Sequence, residues 1–168
     1  VLDGQASVKA LVDKAIANGM RGIALTDHGN MFGIKELTDY VNKKNKDVDG
    51  EIKNLKKTIE ELKSADAVDQ EALSKAETAL KEAESKIFTP IIGCEMYVAD
   101  NDMTDRSNKK DIGRHLIVLA KNQHGYHNLI KLVSNAWTDG YYYHPRTDKK
   151  QLEKYHEDLI VCSACLGG

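Results

Sequence analysis

The sequence predicts an α/β fold, part of a β/α barrel with an inserted antiparallel helical hairpin. Short apolar runs of β type alternate with helical patterns along the chain. Two of these runs end in, or carry, ionisable side chains: Asp27 and His28 follow the first, and Glu95 lies within the second. A stretch rich in Lys, Glu and Ala separates them and has the spacing of paired helices.

Length and composition predict one globular domain, 1–168, with 41% hydrophobic and 30% charged residues. No apolar run is long enough for a membrane span, so no membrane partner is expected. A net charge of −2 argues against binding nucleic acid over the whole surface. Three cysteines without a secretion signal indicate reduced thiols and a cytoplasmic location. Because the chain starts with Val1 rather than Met, we expect it to be part of a longer protein.

The first half of the chain predicts a helix, a buried strand and a second helix. Ser7 can cap the first helix and Gly19 can end it. The expected bounds are 7–18, 22–26 and 31–43.

The segment 45–87 predicts the inserted hairpin. Its apolar residues step by three and four in two stripes, and Asp69 can cap the second. The two helices are expected at 51–63 and 70–86. Two interpretations stay open, a solvated structural arm and an arm that binds a partner.

The second half predicts further strands that run nearly parallel to the first. A polar loop, 100–113, separates two of them. The expected strands are 91–98, 115–120 and 159–162, with helices at 125–136 and 149–156 and an aromatic loop or edge strand at 141–146.

Potential metal ligands occur at or next to the predicted strand ends: Asp3, Asp27, His28, Glu95, His115, Cys162 and Cys165. In a β/α barrel, residues from different strands meet at one end. Glu95 is the strongest candidate, because an unpaired carboxylate within an apolar strand is costly and a metal ion is the simplest partner.

Each candidate also has an interpretation without metal. His28 can be a capping or core histidine, Asp27 a cap, Glu95 a solvated side chain and His115 an ordinary exposed histidine. The two cysteines of the Cys-x-x-Cys follow a strand without a second such pair, which favours neither a zinc knuckle nor a redox motif. Cys165, beyond the strand, is the better single ligand, and inert buried thiols are the alternative.

Two arginines are candidates for contact with the metal ligands or with a substrate. Arg114 precedes His115 and favours an anionic neighbour. Arg146 follows Tyr141 to Tyr143 and His144 and could line the mouth of a site, although tyrosines in such a run more often pack.

Six stretches carry a resemblance to a known family. They are Leu-Asp-Gly (2–4), Thr-Asp-His-Gly-Asn-Met-Phe-Gly (26–33), Pro-Ile-Ile-Gly-Cys-Glu-Met-Tyr-Val (90–98), Asn-Leu-Ile-Lys-Leu-Val-Ser (128–134), Tyr-Tyr-His-Pro-Arg (142–146) and Ser-Ala-Cys-Leu (163–166). In this order they closely resemble the PHP (polymerase and histidinol phosphatase) domain at the N terminus of the alpha subunit of bacterial replicative DNA polymerase III. The resemblance covers nearly the whole chain except the hairpin.

The resemblance implies a distorted seven-stranded β/α barrel with a cluster of up to three metal ions. Mixed His, carboxylate and Cys ligands suit Zn²⁺, and the expected divalent metal is Zn²⁺, Mn²⁺ or Mg²⁺. By position the resemblance assigns metal ligands to Asp3, His28, Glu95, His115 and Cys165, and it places Asp27 beside the ligands, in contact with them and not with the metal. The family's His-x-His and Asp-x-His motifs are expected outside 1–168. We therefore expect this chain alone to bind metal weakly or not at all and to be inactive.

The resemblance also implies a function in DNA replication. The whole protein would be a DNA-directed DNA polymerase, a nucleotidyltransferase, with a metal-dependent phosphoesterase site that serves 3′–5′ exonuclease proofreading. Its expected partners are DNA, through the full-length polymerase, and other replicase subunits. Two alternatives are a stand-alone PHP phosphatase and a non-catalytic scaffold that docks a proofreading subunit.

Overall fold

The computed structural model describes residues 6–65 and 69–168. Within these ranges the chain is an α/β protein with five helices and six strands. The helices are α1 (Val8–Ala17), α2 (Ile34–Lys63), α3 (Gln70–Ser85), α4 (Gln123–Thr138) and α5 (Lys149–Lys154). The strands are β1 (Gly22–Leu25), β2 (Thr89–Val98), β3 (Arg114–Ala120), β4 (Tyr141–Tyr142), β5 (His144–Thr147) and β6 (Leu159–Ser163).

The six strands form one mixed sheet in the order β4-β5-β2-β3-β6, and β1 also pairs with β2. The β2–β5 pair is parallel, whereas β2–β3 and β3–β6 are antiparallel. The predicted near-parallel arrangement is therefore wrong. The connection from β2 to β3 contains no crossover helix, so the chain turns back beside itself. The described residues show this mixed sheet and not a seven-stranded barrel.

The chain divides into two compact units, 1–23 with 36–90 and 24–35 with 91–168. In the first unit, Ser7 caps α1 by accepting a hydrogen bond from the Ala10 amide. The Asp13 carboxylate of α1 pairs with Lys44 of α2 at 2.7 Å, and this contact lowers the pKa of Asp13. A second contact comes from the Tyr40 hydroxyl, which donates to the same carboxylate.

The predicted break between helices 31–43 and 51–63 is absent, because α2 is one continuous helix of 30 residues. The intervening residues include no proline, and Gly50 has open space around it. α3 lies antiparallel to the distal half of α2, and the exposed ion pairs Lys56–Glu84 and Lys63–Glu77 join the two helices. As predicted, Asp69 caps α3. That 45–87 is an insertion into the fold stays a prediction.

A buried side chain of α2 fastens the segment that follows α3. The Asn45 amide donates to the Phe88 carbonyl at 2.8 Å, and its oxygen accepts from the Phe88 amide at 3.1 Å. The Asn45 side chain thus makes the two hydrogen bonds that a neighbouring strand would otherwise make to the backbone just before β2. Both backbone groups would otherwise be buried without partners.

In the second unit, one face of the sheet packs against α4. Cys94, Met96 and Val118 meet Leu129, Leu132 and Ala136 in this core. Burial of each larger side chain contributes about 1.5–3 kcal/mol. Alternation along β2 places Glu95 and Tyr97 on the opposite face of the sheet. Among the described residues, every helix falls short of the length or apolarity that a bilayer span requires.

Candidate metal centre

The turn after β1 is held by its own polar side chains. The Asp27 carboxylate accepts a hydrogen bond from the Gly33 amide at 2.9 Å. Asn30 accepts from the Phe32 amide at 3.0 Å and donates to the His28 carbonyl at 2.9 Å. Asp27 thus takes the capping role in this structure, and the turn fixes the backbone that carries His28.

Gly29 brings this turn against β2. Its φ is +66°, and a Cβ here would lie 2.7 Å from Pro145 Cγ. The Gly29 amide donates to the Glu95 carbonyl at 2.8 Å, and the Glu95 amide donates to the Asp27 carbonyl at 3.0 Å. His28 and Glu95 therefore form a parallel bridge, which places their side chains together.

Glu95 is the centre of the polar cluster. It is 9% exposed, which does not match the alternative of a solvated glutamate. One carboxylate oxygen, Oε2, lies 3.1 Å from His28 Nδ1. The other, Oε1, lies 2.8 Å from His115 Nδ1. The buried carboxylate is thus shared between two imidazoles from different segments.

Cys165 completes the cluster from beyond β6. Its Sγ lies 3.2 Å from His115 Nδ1 and accepts a hydrogen bond from the Gly167 amide at 3.4 Å. The Gly167 carbonyl in turn accepts from the His115 amide at 3.0 Å, which ties this turn to the start of β3. The donor atoms of Glu95, His115 and Cys165 all lie within 4.8 Å of one another.

The remaining ligand candidates are placed differently. Asp3 lies outside the described residues. Cys162 is exposed on β6 and is not part of the three-residue cluster. Cys94, the third cysteine and not a ligand candidate, packs in the core, where burial raises the pKa of its thiol to about 12. A thiol with so high a pKa stays protonated, and it points to the Asp27 carbonyl at 3.5 Å.

The two predicted arginines have different surroundings. Arg114 is exposed, and its Nε lies 3.3 Å from Asp100 Oδ1. Arg146 is wholly buried, so its interpretation as a substrate contact at the site mouth is wrong. Its guanidinium donates to backbone carbonyls, those of Met103, Asp105, Asp111 and Gly140. The physical reason is that β5, read from sequence as a loop or an edge strand, pairs with β2 and buries Arg146.

Aromatic contacts next to the cluster were missed by the sequence analysis. The Tyr97 ring lies edge-on to His115 at 5.1 Å and stacks on His144 at 4.5 Å. Strand alternation from Glu95 could have placed Tyr97 on the same face. Another missed contact joins Trp137 of α4, whose indole N–H donates to the Gly29 carbonyl at 2.8 Å. Only the fold brings these residues together.

An α/β fold with carboxylate, imidazole and thiol donors gathered on one face of its sheet is typical of a metal-binding class of protein. Comparison with family models makes the class specific: the PHP domain model matches residues 1–168. The chain belongs to the PHP domain family.

The three curated relatives described below carry the same name. The DNA polymerase III subunit alpha of Borreliella burgdorferi is 38% identical over 173 residues, covering 100% of this chain and 11% of that protein. The subunit of Treponema pallidum is 38% identical over 171 residues, again 100% of this chain and 11% of the relative. That of Chlamydia muridarum is 34% identical over 170 residues, 100% of this chain and 10% of the relative. The chain thus spans about a tenth of the length of these relatives.

Proposed function

We propose that this chain is the PHP domain of a bacterial replicative polymerase alpha subunit and carries a divalent metal site for phosphoester hydrolysis. The observation that carries this proposal is the convergence of Glu95, His115 and Cys165 on one point. Each of these curated relatives is about ten times as long as the part that this chain matches. That greater length supports the proposal that the chain is one domain of a polymerase subunit.

The donor set fits a metal ion in chemistry and size. Ligand bonds of about 2.0–2.3 Å to zinc place tetrahedral donor atoms about 3.3–3.8 Å apart. The Glu95–His115 and His115–Cys165 contacts are 2.8 and 3.2 Å, so a shift of a few tenths of an ångström opens the site. Imidazole and thiolate ligands favour Zn²⁺, then Mn²⁺, over Mg²⁺, which prefers oxygen alone. We propose His28 as a further ligand, because its Nδ1 lies 3.1 Å from the second carboxylate oxygen of Glu95.

A divalent metal held by Glu95, His115 and Cys165 would supply an activated water and would neutralise charge on a phosphate group. The residues of the chain hold the site for that chemistry. Glu95 brings negative charge and is oriented by both histidines. The Gly167 amide holds the Cys165 sulfur towards His115.

The proposed biological setting is DNA replication in the cytoplasm, with DNA and other replicase subunits as partners. Within it, the proposed reaction is 3′–5′ exonuclease proofreading. Polymerisation itself would belong to other parts of the whole protein. The names of the curated relatives support this setting for the chain.

The test uses the complete polypeptide with its polymerase site inactivated. We expect bound divalent metal and release of nucleotides from the 3′ end of a labelled single strand. Both should be lost in His115→Ala and Glu95→Gln and kept in Cys162→Ser, which removes a thiol outside the cluster. An intact protein without metal and without hydrolysis would favour the scaffold alternative. Hydrolysis of small phosphomonoesters but not of DNA would favour the phosphatase alternative.

A further inference from the structure

A cavity lies beside the metal-site cluster. Its volume is about 260 Å³, and it opens between the loop 100–113 and the turn 165–168. Its lining includes Lys110, Asp111, Ile112, Arg114, His115 and Gly167. His115 and Gly167 therefore border both the cluster and this cavity, while the other lining residues have no part in the cluster.

The negative charge of Asp111, a buried residue of the cavity wall, is balanced by an arginine in the protein interior. Asp111 is 7% exposed, and its Oδ2 lies 3.6 Å from the buried Arg146 guanidinium. The same oxygen accepts a hydrogen bond from the Asp100 amide at 3.1 Å. Asp111 thus adds little negative potential to the cavity.

The exposed charges of the cavity are those of Lys110, Arg114 and Asp100. Arg114 meets Asp100 through Nε at 3.3 Å, and its guanidinium carries two further nitrogens with N–H donors. Two cations against one carboxylate leave a positive balance. Guanidinium donors favour the oxygens of a phosphate group.

An apolar surface stands beside these cations. Ile112 is 49% exposed and lines the same cavity. A nucleotide combines an anionic phosphate with the apolar faces of its sugar and base, and so matches both surfaces. The volume of about 260 Å³ is close to the lower end of the ~300–1,000 Å³ of ligand pockets.

We propose that this cavity is a polynucleotide subsite, which binds the phosphodiester and sugar next to the phosphate held at the metal centre. The inference rests on the proposed function and adds to it the residues that would distinguish a polynucleotide from a small phosphate ester. A small phosphomonoester has no second phosphate to occupy the cavity. Arg114 is the main phosphate contact in this arrangement, and Lys110 adds a second charge.

The test is a nuclear magnetic resonance titration of the ¹⁵N-labelled chain without metal. The ligand is the dinucleotide pTpT, and the reporters are the Gly113 and Gly167 amides and the Arg114 Nε–H. We expect saturable shifts at these groups, with pTpT binding about tenfold more tightly than inorganic phosphate, which corresponds to 1.4 kcal/mol.

Matched variants locate the binding. Arg114→Gln should weaken pTpT binding about tenfold, the effect of losing one charge-assisted contact. Lys110→Gln should weaken it less, and Asp100→Asn should strengthen it by releasing Arg114. Lys109→Gln is the control, since it removes the same charge from an exposed neighbour that does not line the cavity. Unchanged amide shifts outside the cavity show that each variant is folded.

The outcomes separate this inference from the proposed function. Equal weakening by Arg114→Gln and Lys109→Gln would mean unspecific attraction and would overturn the subsite. So would inorganic phosphate binding as tightly as pTpT, or no shift at the reporter groups. Because the titration needs no metal, a failure leaves the metal site standing. Specific pTpT binding in a protein that neither holds metal nor hydrolyses DNA would instead defeat the proposed function alone.

Discussion

Trp137 and Gly29 are joined by a hydrogen bond of 2.8 Å from the indole nitrogen to the backbone carbonyl. The amide of the same glycine donates to the Glu95 carbonyl. The peptide units around Gly29 are therefore held between α4 and β2. Through this contact, a helix on one face of the sheet braces the turn that carries His28.

Replacement of Trp137 by Phe should loosen that turn. The change keeps an aromatic ring but removes the donor, at a cost of about 0.5–1.5 kcal/mol. We expect faster hydrogen exchange at the Gly29 amide and a lower melting temperature. Tyr141→Phe is the control, because Tyr141 stacks on Trp137 at 5.5 Å and the variant retains its ring. Equal exchange at Gly29 in both variants would contradict a bracing role for the indole.

Removal of residues 47–85 with a short linker should leave a folded protein. The deletion takes out α3 and the distal half of α2, while β2–β6, α4 and α5 lie outside it. It also spares Asn45 and Phe88, whose two hydrogen bonds should persist. Dispersed amide spectra and a cooperative thermal transition would support the interpretation of 45–87 as an insertion.

Asn45→Ala in the shortened chain provides the matched test. It leaves the Phe88 amide and carbonyl without their partner and should cost about 1–3 kcal/mol. Insoluble or unstructured protein after the deletion alone would show that the hairpin belongs to the core.

The isolated chain should bind Zn²⁺ weakly, in preference to Mn²⁺ and Mg²⁺. Only three donors of the described cluster lie within 4.8 Å of one another, the proposed further ligand His28 is on the other oxygen of Glu95, and Cys165 is exposed. Cobalt substitution with calorimetry is the measurement, since a thiolate-to-cobalt absorption band reports on the sulfur ligand. Cys165→Ser should abolish this band, and Cys162→Ser should not.

Glu95→Gln should lower the affinity further by removing the negative charge shared by both histidines. Tight, stoichiometric metal in the isolated chain would contradict the expected weakness. A cobalt band that survives Cys165→Ser and disappears in Cys162→Ser would show that Cys162, and not Cys165, is the sulfur ligand.

Asp102 should titrate well below an ordinary aspartate. Hydrogen bonds from the Thr104 hydroxyl and amide, then from Lys150, lower its pKa from 3.8 to about 2. A lowered pKa in the folded state means that this carboxylate adds stability above about pH 4, and that the contribution is lost as the pH falls towards 2. Carbon-detected titration of the carboxyl group measures it directly.

Thr104→Ala should raise the Asp102 pKa towards 3.8, and Lys150→Ala should raise it less, in the order of the contacts. An unchanged pKa in Thr104→Ala would show that the hydroxyl contact at 2.7 Å is not what stabilises the charge.

Local signals in the sequence predicted much of the secondary structure. The caps at Ser7 and Asp69 act over two or three residues, and both were confirmed. Strand β3 was predicted within one residue of its start, because an apolar run follows a polar loop. The structure also brings together His28, Glu95, His115 and Cys165, which were selected for their positions at strand ends or in an apolar strand.

What the sequence could not predict depends on distant partners. Strand β3 runs antiparallel to β2 because the loop between them reverses the chain. The hydrophobic periodicity of the two strands carries no information on this direction. The continuity of α2 depends on a polar stretch that, without proline, is compatible with helix or loop. The cavity beside His115 is built by three separate segments, so its lining could not be inferred from spacing.

Arg146 has a consequence for how much variation the loop 100–113 can accept. Its guanidinium binds carbonyl oxygens of Met103, Asp105 and Asp111, groups that every amino acid possesses. One side chain of β5 therefore holds the loop at three points of its backbone, whichever side chains stand there. Exposed positions of the loop that line the neighbouring cavity, such as Lys110 and Ile112, can then be exchanged while the backbone keeps its course.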